Sequence, residues 1–396
     1  VYTDIRLDFT AMQRRKAAVV RKLIGGVQGL LRANGVKVII GTAQFLDSKK
    51  LIVNVKDGEQ ILTFDRIIIA SGSVPAVPPI PGIDCPQCID STGALGLDTI
   101  PASLIIIGGG VIGVEMATLY SMLGSHVHIV EMANEILPMM DGELVGMLRA
   151  DFARKGLRIH TRAKVIRIEN RGAQAAVYIE ADNGEQILIG ENVLFCVGRK
   201  ANTEALGLDA CGIDTERGQI LVNMHMETSR SGVYAVGDCT GQILLAHVAS
   251  MQGEVAAETA LAHSAEFKAV TTPSCVYSCP ELACTGLTEE AAQRVGKAYD
   301  VGVFPLAANG RALIMNGGNG VIKVLVGKTH REILGVHIYG PRATDLISEA
   351  CLAVGMEATS DEVLATIHGH PTLGEALREA VLAAEGRAVH LPPAKE

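Results

Sequence analysis

At 396 residues, 48% of them hydrophobic and 20% charged, the chain is long enough for two or three domains with separate cores, which excludes a largely disordered protein. The formal charge of −8 and the absence of a lysine or arginine cluster argue against a nucleic-acid or anionic-membrane surface, and no apolar run reaches the ~18 residues of a membrane span. Nine cysteines, an odd number without framework spacing, read as reduced thiols of a cytoplasmic protein. The chain opens on Val1 rather than methionine, so preceding residues are expected and targeting is left open.

In chain order, Asp8 or Thr10 can cap a helix whose apolar positions Val20, Leu23, Ile24, Val27, Leu30 and Leu31 recur at three and four, with Asn34-Gly35 as its stop. That stripe is expected to pack on another element. Strand-like pieces follow at Val36 to Ile40, Leu51 to Val55 and Gln60 to Phe64, and the apolar run Ile67 to Ala70 enters Ser71-Gly72. Pro75 to Pro81 reads as an extended crossing segment. Cys85-x-x-Cys88 has no second CxxC at zinc spacing and opens no βαβ unit, which favours a structural reading.

Leu104 to Ile107 then leads into Gly108-x-Gly110-x-x-Gly113, a helical pattern to Leu123 and a second strand ending on Glu131. In such a turn the first glycine permits the bend, the second lets backbone approach a pyrophosphate and the third lets helix and strand pack closely. An acid 23 residues after Gly108 suits a ribose 2'-hydroxyl, and with Met132, Ala133 and Asn134 after it, no arginine stands ready for a 2'-phosphate. NAD is therefore expected rather than NADP.

A helix from about Asp141 to Lys155, a strand Leu157 to His160, a meander turning at Asn183-Gly184 and a run Asn192 to Val197 complete this module. They make the second half of a doubly wound domain whose crossover is replaced by antiparallel strands. Gly232 to Val236 reads as a strand stopping at Gly237-Asp238, where ligands meet open α/β sheets, and a helix follows from about Val248 to Leu261. Beyond Pro273 come a helix begun by Thr288, strands near Asp300 to Phe304, Asn319 to Val326 and Glu332 to Tyr339, and further helices, the pattern of an α+β domain. Pro392 to Glu396 is expected to fray.

Five signatures together resemble the pyridine nucleotide-disulfide oxidoreductases, and within them the dihydrolipoamide dehydrogenase branch. They are Ala70-Ser71-Gly72-Ser73-Val74-Pro75, Gly108 to Glu115, Gly198-Arg199-Lys200-Ala201-Asn202-Thr203, Tyr234-Ala235-Val236-Gly237-Asp238, and His368-Gly369-His370-Pro371-Thr372-Leu373-Gly374-Glu375. The resemblance implies α/β architecture with doubly wound FAD- and NAD-binding domains and a C-terminal α+β dimerisation domain. On that basis residues 1–100 and 221–268 belong to the FAD domain, 101–220 to the NAD domain and 269–396 to dimerisation. FAD and NAD are the implied cofactors, with Gly72, Gly198, Gly237, Asp238, Ala246 and His247 similar to residues around FAD. Asp238 is similar to the acid that receives the ribityl hydroxyls, and Ala246-His247 to backbone beside the flavin ring. Glu115 is similar to a glutamate near the nicotinamide. His370 and Glu375 are similar to a pair in which the histidine is base toward a dithiol, reached from the partner subunit and with a cis bond before Pro371. Imidazole suits that task because it titrates near neutrality. The implied partners are a second copy and a lipoyl-bearing protein of a 2-oxoacid dehydrogenase or glycine-cleavage complex, with no nucleic acid and no membrane.

The family's first glycine-rich unit and its two cysteines separated by four residues are not found before Pro101. Cys279-x-x-x-x-Cys284 has that spacing but falls in a segment that resembles a family strand, where residues five apart would face opposite ways. The expectation is therefore a dehydrogenase fragment with an incomplete FAD domain and no redox cysteine pair. The alternatives are a non-catalytic NAD-binding dimer or another disulfide reductase such as a mercuric reductase, which the absence of cysteines beyond Cys351 disfavours.

Overall fold

The computed structural model describes residues 7–182, 184–269 and 271–392, in a chain that divides into two compact units. The first comprises Val1–Ala76, Leu95–Ile100 and Gly198–Lys268. Its helix Phe9–Ala33 begins where the Asp8 carboxylate accepts from the Ala11 amide at 2.8 Å, so Asp8 rather than Thr10 is the cap. It ends at Asn34, with Gly35 taking φ +68°. The expected packing of its apolar stripe is not seen among the described residues: no residue of the helix is buried, and Leu23 and Leu30 are each 66% exposed.

The expected strand at Val36 to Ile40 is not formed. Strand pairing begins at Gly41, in the antiparallel sheet Gly41–Asp47, Lys50–Val55 and Gly58–Thr63. A side chain at Gly41 would bring its Cβ to 2.4 Å from the Asn54 carbonyl oxygen, so only glycine allows the two strands this approach. The short strands Ile67–Ile69 and Val233–Ala235 pair in parallel, so Ser71-Gly72 and Gly237-Asp238 leave the same end of that pair. Ser73–Pro75 pairs with Arg199–Ala201, and Phe45, Leu208, Ile220, Val233 and Cys239 fill the core beneath.

The second unit comprises Val77–Ala94, Pro101–Val197 and Ala269–Glu396. A parallel sheet runs Cys88–Ile89, Asn192–Phe195, Ser103–Ile107, His126–Val130 and Arg158–His160. Its central strands are continuous apolar runs because both faces are covered, and a three-stranded antiparallel sheet from Lys164 to Gly190 supplies part of that cover. Asn183 of the expected turn lies outside the described residues, as do Val1 and Pro393 to Glu396. Five antiparallel strands follow in the order Ser274–Val276, Glu281–Gly286, Ile333–Gly340, Val321–Gly327 and Tyr299–Pro305. The helices Ala343–Gly355 and Glu375–Ala384 close their core. No described helix is long and apolar enough to cross a membrane.

Within this unit Lys323 is only 2% exposed, and its ammonium meets Asp141 at 3.1 Å, Glu143 at 3.0 Å and Glu289 at 2.5 Å. Burial opposes the charge, yet hydrogen bonds to the three carboxylates outweigh it and raise the ammonium above its ordinary range. Asp141 also caps the helix Gly142–Arg154 through the Glu143 and Leu144 amides. Lys323→Ala strands a buried carboxylate and is expected to cost about 3–5 kcal/mol in urea unfolding, whereas a loss below about 1 kcal/mol would show the network to be idle.

On neighbouring strands, His128 Nδ1 lies 3.1 Å from His160 Nε2 with the rings stacked. Burial first, then the charges of His160 and Arg158, hold His128 down to about 4. The unfolded chain takes up this proton below about 6.5 while the folded one refuses it, so the stabilisation is present above that pH and is lost as pH falls toward about 4. Urea unfolding over that window should show a loss of order 3 kcal/mol. His128→Gln should flatten the slope, and an unaltered slope in the variant would assign the pH dependence to other groups.

Candidate functional site

The glycine turn of the second unit is built by close approach. Gly108 takes φ +113°, and a Cβ on it would lie 2.5 Å from the Cys196 carbonyl oxygen. A Cβ on Gly113 would lie 2.1 Å from the Gly108 carbonyl oxygen, whereas one on Gly110 would meet nothing within 4 Å. The first and third glycines therefore bring helix and strand together, and the middle one borders open space. Gly110 caps the helix Val111–Met122 without a side-chain bond, which leaves the first helical amides aimed outward, an arrangement suited to phosphate. Glu131 ends the neighbouring strand and is fixed by the Gly109 amide at 2.6 Å and the Ala133 amide at 2.7 Å. That bracing presets the carboxylate as an acceptor for a sugar hydroxyl.

Glu115 lies one turn along the same helix, where its Oε1 accepts from the Tyr277 amide at 3.0 Å. Burial pushes this carboxyl up, and the Tyr277 amide offsets only part of the effect. Cys196 lines the turn with its thiol pushed up to about 12, by burial and then by Glu131, and so acts there as a packing group.

In the first unit the two strand ends described above carry the other candidates. Gly72 and Gly237 take φ +71° and +72°, and Gly198 takes φ +122° where its carbonyl accepts from the Ala76 amide at 3.0 Å. Neither Gly72 nor Gly198 has an atom within 4 Å of where a Cβ would stand, so both border free space. Asp238 Oδ2 accepts from the Ser73 hydroxyl, which in turn accepts from Arg199 Nε at 2.6 Å, while Arg199 Nη2 donates to the Ser73 carbonyl at 2.8 Å. The guanidinium itself is 3.9 Å from Asp238. These contacts orient the Asp238 carboxylate through its Oδ2. Ser73 and Arg199 were not singled out from sequence, although both lie inside quoted signatures; only the pairing of Ser73–Pro75 with Arg199–Ala201 joins them. Ala246 and His247 form the first turn of the helix Ala246–Ala260, and the Gly237 amide is held by Gln252 at 2.7 Å.

The C-terminal pair belongs to the second unit. His370 Nδ1 lies 2.8 Å from Glu375 Oε1, and Glu375 Oε2 accepts from the Thr372 amide at 2.8 Å. Burial pushes the Glu375 carboxyl up, but the Thr372 amide and His370 outweigh it and hold it below the usual carboxylate range. The His370 side chain is 81% exposed, so Nε2 faces outward while the other nitrogen is tied down. The bond preceding Pro371 is cis. The neighbouring His368 is bound instead to Glu349 at 2.8 Å, which sets the two histidines of the motif apart.

The expectation of a chain that lacks its redox cysteine pair is corrected to one that holds a near pair. Cys85 and Cys88 Sγ atoms lie 3.3 Å apart, because one hydrogen-bonded turn, Cys88 amide to Cys85 carbonyl at 2.9 Å, brings positions three apart together. Cys279 is exposed, whereas Cys284 is buried with its thiol pushed up to about 12, chiefly by burial.

Family comparison places these features. The model of the pyridine nucleotide-disulphide oxidoreductases matches residues 3–253, and that of their dimerisation domain matches residues 272–381. The chain is 39% identical over 395 residues to a dihydrolipoyl dehydrogenase of Geobacillus stearothermophilus, covering 98% of this chain and 83% of that protein. It is 41% identical to one of Thermus scotoductus, covering 97% and 83%. Among solved structures, LpdA of Mycobacterium tuberculosis superposes with a TM-score of 0.89 at 26% identity, over 96% of this chain and 84% of that one. The HOCl-induced flavoprotein disulfide reductase RclA of Escherichia coli gives 0.88 at 29% identity, over 95% and 86%.

The expected fragment with an incomplete FAD domain is overturned by these matches. One family model runs through residues 3–253, taking in sequence from both segments assigned to FAD. Of the alternatives, another disulfide reductase of the family agrees with the matches, and a non-catalytic module does not. The chain belongs to the pyridine nucleotide-disulphide oxidoreductase family, as an NAD-dependent, FAD-containing, homodimeric flavoprotein disulfide oxidoreductase of the dihydrolipoyl dehydrogenase-like kind.

Proposed function

We propose that the enzyme oxidises a dihydrolipoyl-type dithiol with NAD, using His370 as the base that takes the thiol proton and Glu375 as the group that orients it. The single observation carrying this reading is the His370–Glu375 contact of 2.8 Å on an imidazole whose other nitrogen faces outward. A carboxylate held ionised by the Thr372 amide keeps the Nδ1 proton in place, so Nε2 is left as the acceptor for a thiol. The balance is dithiol plus NAD to disulfide, NADH and a proton. FAD and NAD, when bound, supply the two-electron carrier and the final hydride acceptor.

The chain's own residues divide the remaining work. The turn Gly108, Gly110 and Gly113 would cradle the NAD pyrophosphate, Glu131 its ribose, and Glu115 would border the nicotinamide end. Asp238, with Gly72, Gly198, Gly237, Ala246 and His247, would hold FAD, and the Ser73–Arg199 link would keep Asp238 turned toward it. Residues 1–100 and 221–268 would then form the FAD domain, 101–220 the NAD domain and 269–396 the dimerisation domain. His370 lies in the segment matched by the dimerisation model and is exposed in the single chain, which supports its serving the partner subunit's site. A lipoyl group on a 2-oxoacid dehydrogenase or glycine-cleavage protein is the proposed physiological dithiol. The nine free thiols favour the cytoplasm.

His370→Gln should lower dihydrolipoamide oxidation by about 10²–10⁴-fold while sparing NADH-dependent reduction of an artificial acceptor. Glu375→Gln should cost about 10- to 100-fold in the same assay. Equal loss of both activities in His370→Gln would remove the base from the account. For the nucleotide site, Gly113→Ala should weaken NADH binding at least about tenfold by fluorescence titration, because its Cβ has no room against the Gly108 carbonyl. Gly146→Ala, in a helix with open space around it, should leave NADH binding unaltered, and equal effects of the two variants would contradict the proposed turn.

A further inference from the structure

The Cys85–Cys88 turn takes no part in the base chemistry at His370 or in the dinucleotide cradle, yet it brings two sulfurs together in a rigid frame. The Cys88 amide donates to the Cys85 carbonyl at 2.9 Å, which makes Cys85-Pro86-Gln87-Cys88 a β-turn with proline at its second position. Such a turn holds its end Cα atoms within about 7 Å, close to the span that a disulfide bridges. The sulfurs already stand 3.3 Å apart, so rotation of the two side chains is the main movement that closure needs.

The frame is pinned on both sides. The Gln87 carbonyl accepts from the Val193 amide at 2.9 Å, and its side chain donates to the Gly172 carbonyl at 2.5 Å and to Asn170 at 3.1 Å. Cys88 itself opens the edge strand Cys88–Ile89 of the parallel sheet. No group of three or more metal-ligating side chains occurs among the described residues, so the turn offers a dithiol rather than a metal-ligand set. Both cysteines are half-buried, within reach of a small molecule.

The geometry points to a dithiol–disulfide centre at Cys85 and Cys88, at the edge of the dinucleotide-binding sheet, that exchanges with small-molecule disulfides. The Cys85 thiolate attacks one sulfur of the disulfide R–S–S–R, forms a mixed disulfide and expels one RS⁻. Cys88, having lost its proton, then attacks the Cys85 sulfur, closes the internal bond and expels the second RS⁻. Two electrons pass to R–S–S–R, the two cysteine protons end on the two RSH, and a dithiol reverses the sequence. Burial first, then the hydrogen bond and charge of Cys85 and the charge of Asp84, raise the Cys88 thiol well above its ordinary range. Cys88 takes the resolving role because its thiol is also held by the Gly82 carbonyl at 3.8 Å, which leaves Cys85 to attack first.

The inference is independent of the reading of His370, and its test does not use enzymatic activity. The intact protein is reduced, then equilibrated without oxygen in buffers of graded reduced and oxidised glutathione. Free thiols are blocked with N-ethylmaleimide, and the tryptic peptide of residues 67–149, which holds no cysteines besides these two, is weighed. With rising oxidised glutathione the peptide should pass from two blocking groups to none, having lost two hydrogens, without a lasting glutathione adduct. Cys88→Ser should trap glutathione on Cys85, and Cys85→Ser should leave Cys88 open to the blocking reagent. A peptide that keeps both blocking groups in the most oxidising buffer would overturn the centre. So would a persistent adduct in the unmutated protein, or equal trapping in the two variants.

Discussion

The Lys323 ammonium has almost no water around it and three carboxylates within reach, and the arrangement of the second unit depends on that balance. Asp141 meets it from the cap of the helix Gly142–Arg154, while Glu289 meets it from the first turn of another helix. Near the other end of the same helix the buried Asp151 accepts from Asn319 at 3.0 Å and from the Tyr339 hydroxyl. One helix beside the dinucleotide sheet is thus tied at both ends to the C-terminal sheet by groups that cannot be left unpaired. A purely apolar contact would allow sliding; buried charges allow one register, because any other leaves a carboxylate or the ammonium dry and alone. The Glu115 bond to the Tyr277 amide crosses between the same two sheets and places a candidate nucleotide residue by the same means.

On this frame the two chemical groups are prepared in opposite ways. Glu131 is braced by two amides, so the proposed ribose contact would require little reorganisation. His370 is braced on one nitrogen and exposed on the other, as suits a base whose partner must arrive and leave. Glu375 opens the helix Glu375–Ala384, where the positive end of the helix dipole favours its ionised form. The exposure of this pair in a single chain accords with the proposal that it serves a second subunit's site in the homodimer.

Legibility followed whether a residue acts through local backbone geometry or through distant neighbours. The glycine turn, the helix starts near Asp8, Asp141 and Thr288 and the spacing of His370 to Glu375 all express themselves over a few residues, and the sequence carried them. Val36 to Ile40 is rich in β-branched residues like a strand, but such composition is only potential; pairing starts at Gly41, where a missing side chain lets strands close. Lys323 interrupts an apolar strand pattern, with no local sign that three acids from two helices would surround it. Ser73 and Arg199 stand more than a hundred residues apart and acquire meaning through one short strand pair. Cys85-x-x-Cys88 fits neither zinc nor βαβ spacing, and its sulfurs meet through an ordinary β-turn that spacing alone does not announce. The incomplete-domain reading rested on one missing motif, and matches spread along residues 3–253 outweigh it.

The most direct test of the central claim is anaerobic mixing of the FAD-loaded homodimer with dihydrolipoamide and NAD while the near-ultraviolet absorbance is followed. The account predicts NADH formed in a one-to-one ratio with dithiol consumed, at a rate that falls in His370→Gln. Dithiol consumption without NADH, or no turnover by a dimer that binds both FAD and NAD, would contradict it.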